Sequence, residues 1–167
     1  MSEDINIMVD IETLSTRPDA TIISIGAVCL ETDREFYAEV SPHQNRHVDI
    51  DTIAFWFKQS VRPPLDSELN LSSALYAFSD FCKSNSSGDF KIWANGTDFD
   101  ITILADACRS RILPIPWKYN SVRDYRTLAK LLPHILRPEF VGDKHNALAD
   151  AKNQAAHLKL LLAEIQS

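Results

Sequence analysis

Three runs of strand-forming residues open the chain before any helical period appears. INIMVD (5–10) is a short apolar run that reads as a buried strand, and TIISIGAVCL (21–30), rich in β-branched residues, reads as a second. REFYAEV (34–40) places Phe36, Ala38 and Val40 on one face and reads as a third, an antiparallel partner of the second across the short turn at Asp33. TLSTRPD, between the first two, has the chemistry of a loop. The period then changes. Residues 49–60 carry Ile50, Ile53, Ala54 and Phe57 at helical spacing, until Pro63 and Pro64 break the chain. Residues 71–84 put Leu71, Ala74, Leu75, Phe78, Phe81 and Cys82 on one helical stripe, with Ser72 or Ser73 as the expected cap, and 84–88 is a loop. FKIWA (90–94) reads as a strand, 97–112 as a helix ended by Pro114, 116–119 as a short strand, 121–132 as a helix and 147–165 as a long amphipathic helix. Three strands first, and later strands separated by helices, predict an α/β fold with a mixed five-stranded sheet flanked by helices.

Composition fixes the class. At 167 residues the chain has the length of one domain, residues 1–167, and can bury roughly 68–70% of its unfolded surface without disulfides or a structural metal. Apolar residues at 45% and charged residues at 24% exclude a disordered chain, a collagen and a coiled coil. No apolar stretch is long enough to span a membrane, and the acidic start MSEDINIMVD lacks the basic segment of a secretory signal. Cys29, Cys82 and Cys108 include no Cys-x-x-Cys and read as buried thiols of a reducing cytoplasm. The net charge of −6 argues against a passive nucleic-acid coat, but not against an enzyme whose acids hold cations.

Three features carry chemistry. Asp10 and Glu12, at i and i+2 where an apolar strand ends, point to one face, and side-by-side carboxylates in a partly dry place repel unless a divalent cation neutralises them. The plainer alternative is a pair of solvated acids. Asp100 lies in the first turn of a helix reached from a strand through Asn95-Gly96; Thr97-x-x-Asp100 also reads as a capping box, and Asp98 is a decoy two residues earlier. HNALAD closes the set. Asn146 can cap the last helix, fixing Asp150 in its first turns while His145 stands off in the preceding loop. Ala147, Ala149 and Ala151 would let that helix approach another element closely. Surface decoration is the alternative for His145.

The order of these features, with VDIET at 9–13, IISIGAV at 22–28 and HNALADA at 145–151, resembles the DEDDh (DnaQ-like) superfamily of 3′–5′ exonucleases, from Asp10 to Asp150. TIAFWFKQS, WANGTDFD and DYRTL further resemble its smaller bacterial and phage group, which includes ribonuclease AS, phage exonuclease A and prophage exodeoxyribonuclease VIII-like members. The resemblance implies a ribonuclease H-like fold and phosphodiester hydrolysis from the 3′ end of single-stranded nucleic acid or 3′ overhangs, RNA or DNA, releasing nucleoside 5′-monophosphates. It implies two cations, Mg²⁺ or Mn²⁺, which suit carboxylate oxygens. Asp10 would bridge both. Glu12 and Asp150 would support the ion holding the attacking water, and Asp100 the other. His145 would be the general base. Thr13 and Leu14 would meet the terminal sugar and base, with Leu14 as a wedge. Trp56, Phe57 and Phe99 are candidate stacking surfaces, with core packing as the alternative, and Arg126 is a candidate phosphate contact. Asp124 is expected to cap the helix 121–132, and Trp93 to pack. A homodimer is the expectation from relatives. A ribonuclease H-like endonuclease and a catalytically silent binding or assembly module are the alternatives.

Overall fold

The computed structural model describes residues 5–86 and 89–166. Among them lie five strands, β1 (Ile5–Thr13), β2 (Ile22–Cys29), β3 (Glu35–Glu39), β4 (Phe90–Ala94) and β5 (Val122–Asp124). Five α-helices accompany them: α1 (Ile50–Phe57), α2 (Leu71–Ser84), α3 (Asp100–Ser110), α4 (Tyr125–Leu131) and α5 (Ala147–Gln166). The sheet runs β3-β2-β1-β4-β5. Neighbours joined by short connections, β1 to β2 and β2 to β3, pair antiparallel. β4 and β5 are each reached through helices, and they pair parallel with β1 and β4. The mixed five-stranded α/β sheet expected from the sequence therefore forms.

Strand β1 divides two cores by its period of two. Ile7, Val9 and Ile11 face α2 and α3, packing with Leu71, Leu75, Phe78, Ile103 and Leu104. Met8 faces the other way, into a core with Tyr125 and the α5 residues Ala151, Ala155, Leu158 and Leu161. Asp10 and Glu12 continue the Met8 row, so both carboxylates emerge on the α5 side. α5 comes unusually close there. Gly26 stands opposite Asp10 in the β1–β2 register, and a Cβ built on it would lie 2.3 Å from the Ala147 carbonyl carbon and the Leu148 nitrogen. The small residues at the start of α5 permit that approach, and Ala147 and Ala151 are fully buried.

Several boundaries depart from expectation. β1 runs on past Asp10 to Thr13, because β2 pairs with it that far, so the acids lie within the strand. α1 is shorter than 49–60 and is capped by Asp49, whose carboxylate accepts the Asp51 N–H. α2 takes its cap from Asn70, whose Oδ1 accepts the Ser73 N–H at 2.9 Å, and not from Ser72 or Ser73. The strand expected at 116–119 does not form. Its place in the sheet is taken by β5, from the front of the expected helix 121–132. The reason is Asp124: it caps α4 as expected, with Oδ1 accepting the Thr127 N–H at 2.7 Å, so the helix cannot start before it. The residues ahead of it stay extended and pair with Ile92–Ala94. The expected loop 84–88 falls partly outside the described residues. Trp93 packs, and its indole N–H donates to Asn6. Cys29, Cys82 and Cys108 are all buried free thiols. Among the described residues no helix is long and apolar enough to cross a membrane.

Candidate active site

β1, α3 and α5 converge their acids on one point of the sheet. Asp10, Glu12 and Asp150 each bring a carboxylate oxygen within 4.8 Å of the others. Asp100 is 4% exposed and stands just beside this trio. It does not make the expected capping box: α3 has no side-chain cap bond. Instead its Oδ1 accepts the backbone N–H of Ile11, between the two β1 acids, at 3.1 Å. Thr97 donates its N–H to the second Asp124 oxygen at 2.9 Å, which ties the β4–α3 turn to the α4 cap. Asp98, the decoy, is exposed.

His145 stands off in the loop, as the spacing requires. It adopts a left-handed conformation, φ 62°, and its backbone N–H donates to Asp150 Oδ2 at 2.8 Å. Asn146 caps α5 through the Ala149 N–H at 3.0 Å. That six-residue ring fixes Asp150 on the helix and turns the imidazole toward α1. The ring meets Phe55 edge-on at 5.2 Å and Trp56 at 6.2 Å.

The electrostatics of the trio are those of crowded, buried carboxylates. Burial, then the charges of Asp100, Glu12 and Asp150, push Asp10 well above the usual carboxylate range; only a hydrogen bond from Gln154 opposes them. Burial and the charges of Asp150 and Asp100 raise Glu12 to about 8. Burial also raises Asp100 and Asp150, against the pull of the Ile11 N–H on one and the His145 N–H on the other. Three of the acids thus have one orienting donor each, Gln154 for Asp10, Ile11 for Asp100 and His145 for Asp150. Their remaining oxygens have the spacing and charge that divalent cations bind, and hard oxygen donors without thiolates fit Mg²⁺ or Mn²⁺.

A cleft of about 460 Å³ opens beside the trio, lined by Glu12, Thr13, Phe55, Trp56, Phe99 and His145, with Thr16, Asp49, Asp51 and Thr52 at its α1 side. Trp56 donates its indole N–H to the Thr13 carbonyl at 3.0 Å, locking the α1 wall to the end of β1. Of the expected substrate contacts, Thr13, Trp56 and Phe99 line this cleft. Leu14 does not: it is buried with Ile23 and Trp56, so it braces the wall and presents no free wedge. Phe57 is 86% exposed and faces a separate cavity of about 640 Å³, shared with Trp56 and Arg62. Arg126 is exposed, lies over Gly96 and donates to the Asn95 carbonyl at 2.7 Å, where its charge lowers Asp100. Sequence reasoning passed over Phe55, although it sits in the same aromatic run as Trp56 and Phe57. It also passed over Gly26, whose signal was a glycine within a β-branched strand.

No curated protein sequence matches the chain. Solved structures do. The nuclease domain of 3′hExo, a DEDDh family member solved bound to rAMP, superposes with a TM-score of 0.66 at 18% identity, covering 96% of this chain and 92% of that one. Exonuclease X, solved with 5′-overhanging duplex DNA, superposes with a TM-score of 0.61 at 16% identity, covering 97% and 93%. At these identities the likeness establishes the ribonuclease H-like fold of DEDDh exonucleases. The family model described as the 3′–5′ exoribonuclease Rv2179c-like domain matches residues 5–162. With that match spanning nearly the whole chain, the protein belongs to the Rv2179c-like family of 3′–5′ exonucleases.

Proposed function

We propose that the whole chain acts as one metal-dependent exonuclease domain that removes nucleoside 5′-monophosphates from the 3′ end of single-stranded nucleic acid or 3′ overhangs, with RNA the preferred substrate. The observation that carries this reading is the trio Asp10, Glu12 and Asp150, within 4.8 Å of one another, whose member Glu12 lines a cleft together with His145. The preference for RNA draws on the family's description as exoribonucleases.

Two bound Mg²⁺ or Mn²⁺ ions would supply the positive charge that acidifies the attacking water and stabilises the leaving oxygen. Asp10 would hold both ions, Glu12 and Asp150 the one on the side of the attacking water, and Asp100 the other. His145 takes the proton of the attacking water on its imidazole, which lines the same cleft as Glu12. Phe55 and Phe99 offer apolar surface to the terminal base, which suits stacking without base selection, while Trp56, packed with Leu14 and Ile23, holds the wall behind the cleft. The homodimer and the cytoplasmic setting draw on the resemblance and the composition alone, and mass in solution is the measurement for the first.

The test is a 5′-labelled single-stranded RNA and its DNA twin, each incubated with Mg²⁺ or Mn²⁺, with Asp10→Ala as control. A ladder shortening from the 3′ end, faster on RNA and absent in the variant, is expected. Cleavage of a circular substrate would show an endonuclease. Folded protein that shortens neither strand would sink the reading.

A further inference from the structure

The inner face of α5 is apolar where it packs on the sheet. Ala147, Ala151, Ala155, Leu158 and Leu161 are all buried there. Two polar residues interrupt it. His157 is fully accounted for, with Nδ1 against the Tyr125 hydroxyl at 2.8 Å and Nε2 against the Ile135 carbonyl at 2.9 Å. Gln154 is not. It is 8% exposed, its Nε2 donates to Asp10 Oδ1 at 2.9 Å, and its Oε1 is buried with no partner among the described residues.

A buried amide oxygen without a donor is a standing cost, which a leucine or methionine at this place would avoid. The return on that cost is the other end of the amide. Gln154 follows Asp150 by one helical turn, so both side chains leave α5 on the same face and meet β1 together. Asp150 joins the acid trio, and Gln154 grips one oxygen of the trio's innermost member. Only the orientation with the amide N–H₂ toward Asp10 suits an ionised carboxylate, since the reverse sets two acceptors face to face. The amide fixes the rotation of the Asp10 carboxyl and so decides where its second oxygen points.

We infer that Gln154 is a positioning residue for Asp10, holding one carboxylate oxygen from α5 so that the other is presented to the divalent cations. The inference rests on the metal-dependent reading above. It acts through orientation: partners of this kind, one step behind a metal ligand, change metal affinity or activity by roughly 10–100-fold when removed.

The test uses the full chain and Mn²⁺ alone, followed by titration calorimetry, together with melting in the absence of metal. Gln154→Met keeps the length of the side chain and removes the donor, and Gln154→Leu repeats the test with a different shape. Both variants are expected to bind Mn²⁺ about 10-fold or more weakly. Their metal-free melting temperatures should stay close to that of the parent, because the orphaned Gln154 oxygen goes while the Asp10 oxygen loses its donor. Lower metal-free stability with unchanged Mn²⁺ affinity would show a packing role and overturn the inference. So would affinity and rate both equal to the parent's. A parent chain that takes up no Mn²⁺ would overturn the metal reading and this inference with it, whereas uptake undiminished in Gln154→Met but lost in Asp10→Asn would overturn the inference alone.

Discussion

Gly26→Ala adds one methyl group and should disable the site. Gly26 lies in β2 opposite Asp10, and its backbone is outside the left-handed region, so alanine meets no intrinsic strain there. The obstacle is α5. The new Cβ would sit 2.3 Å from the Ala147 carbonyl carbon and the Leu148 nitrogen and 2.4 Å from the Ala147 oxygen, all backbone atoms, whereas ordinary contact begins at 3.4 Å. No side chain can rotate away, so the first turn of α5 must retreat by about 1 Å in a close-packed interior. Overpacking of this kind costs about 1–3 kcal/mol, and for a chain of this length each kcal/mol lowers Tm by about 2–4 °C. The expected fall is therefore on the order of 2–12 °C, which leaves the protein folded at room temperature. Function should suffer more. The retreating turn carries His145 and Asp150, whose alignment with Asp10 and Glu12 makes the site, and a misplacement of about 1 Å can cost on the order of 100-fold in rate. Melting and 3′-end shortening of a labelled RNA, measured on one preparation, give both numbers. A variant with the parent's Tm and rate would refute the close approach of α5. A lowered Tm with full activity would show that the site tolerates a displaced α5.

Other expectations follow from the same geometry. His145→Ala should lower turnover by about 100-fold or more while sparing most Mn²⁺ binding, read by initial rates and calorimetry, because the imidazole lies in the cleft and only its backbone N–H holds Asp150. Without metal, stability should fall as pH rises. Glu12, raised from 4.5 to about 8, keeps in the folded state a proton that the unfolded chain has released, so its contribution is complete below pH 4.5 and lost by pH 8. Mn²⁺ should flatten or reverse that slope, and melting curves at pH 5 and pH 8 with and without the ion check it; a metal-free Tm that rises over this window would contradict the reading. Asp124→Ala should cost about 1–2 kcal/mol in urea unfolding, since it removes the α4 cap and the Thr97 tether together. Phe55→Ala should raise KM for single strands more than it lowers kcat, having removed a wall of the cleft that touches His145.

What the sequence revealed depended on range. β1 to β4 and α2 were legible because their apolar residues repeat with a clean period and their ends carry turn residues. β5 was not: three residues long, it is a strand only because β4 lies beside it, and its pattern merges with the helix that Asp124 then starts. The start of α3 misled for a similar reason. Thr97 and Asp100 have capping-box spacing, yet Thr97 is held by Asp124 and Asp100 by Ile11, both far away in sequence. Local chemistry proposed one partner and the folded chain supplied another. Asp10, Glu12, Asp100, His145 and Asp150 stood out in the sequence because each carries its charge or imidazole in a recognisable order, and the fold brings them close together. Leu14 was misjudged because sequence cannot say whether an apolar side chain beside a site faces substrate or core.

The row Met8, Asp10, Glu12 shows why such a site is both costly and detectable. These residues share one face of β1, and the helix opposite is apolar from Ala151 onward except at Gln154 and His157. A sequence selected for stability alone would continue the row with apolar residues to match. Instead two carboxylates enter a partly dry space, meet a third from α5 and lie against a fourth, and all four are pushed above their ordinary values. Local pattern and global packing disagree at this point, which is where a functional site is expected. The disagreement is confined by small devices that carry no charge: the missing Cβ of Gly26, the Ile11 N–H and the left-handed turn at His145. Those devices place charge that the fold alone cannot neutralise, and the same surplus of negative charge makes divalent cations the natural completion of the site.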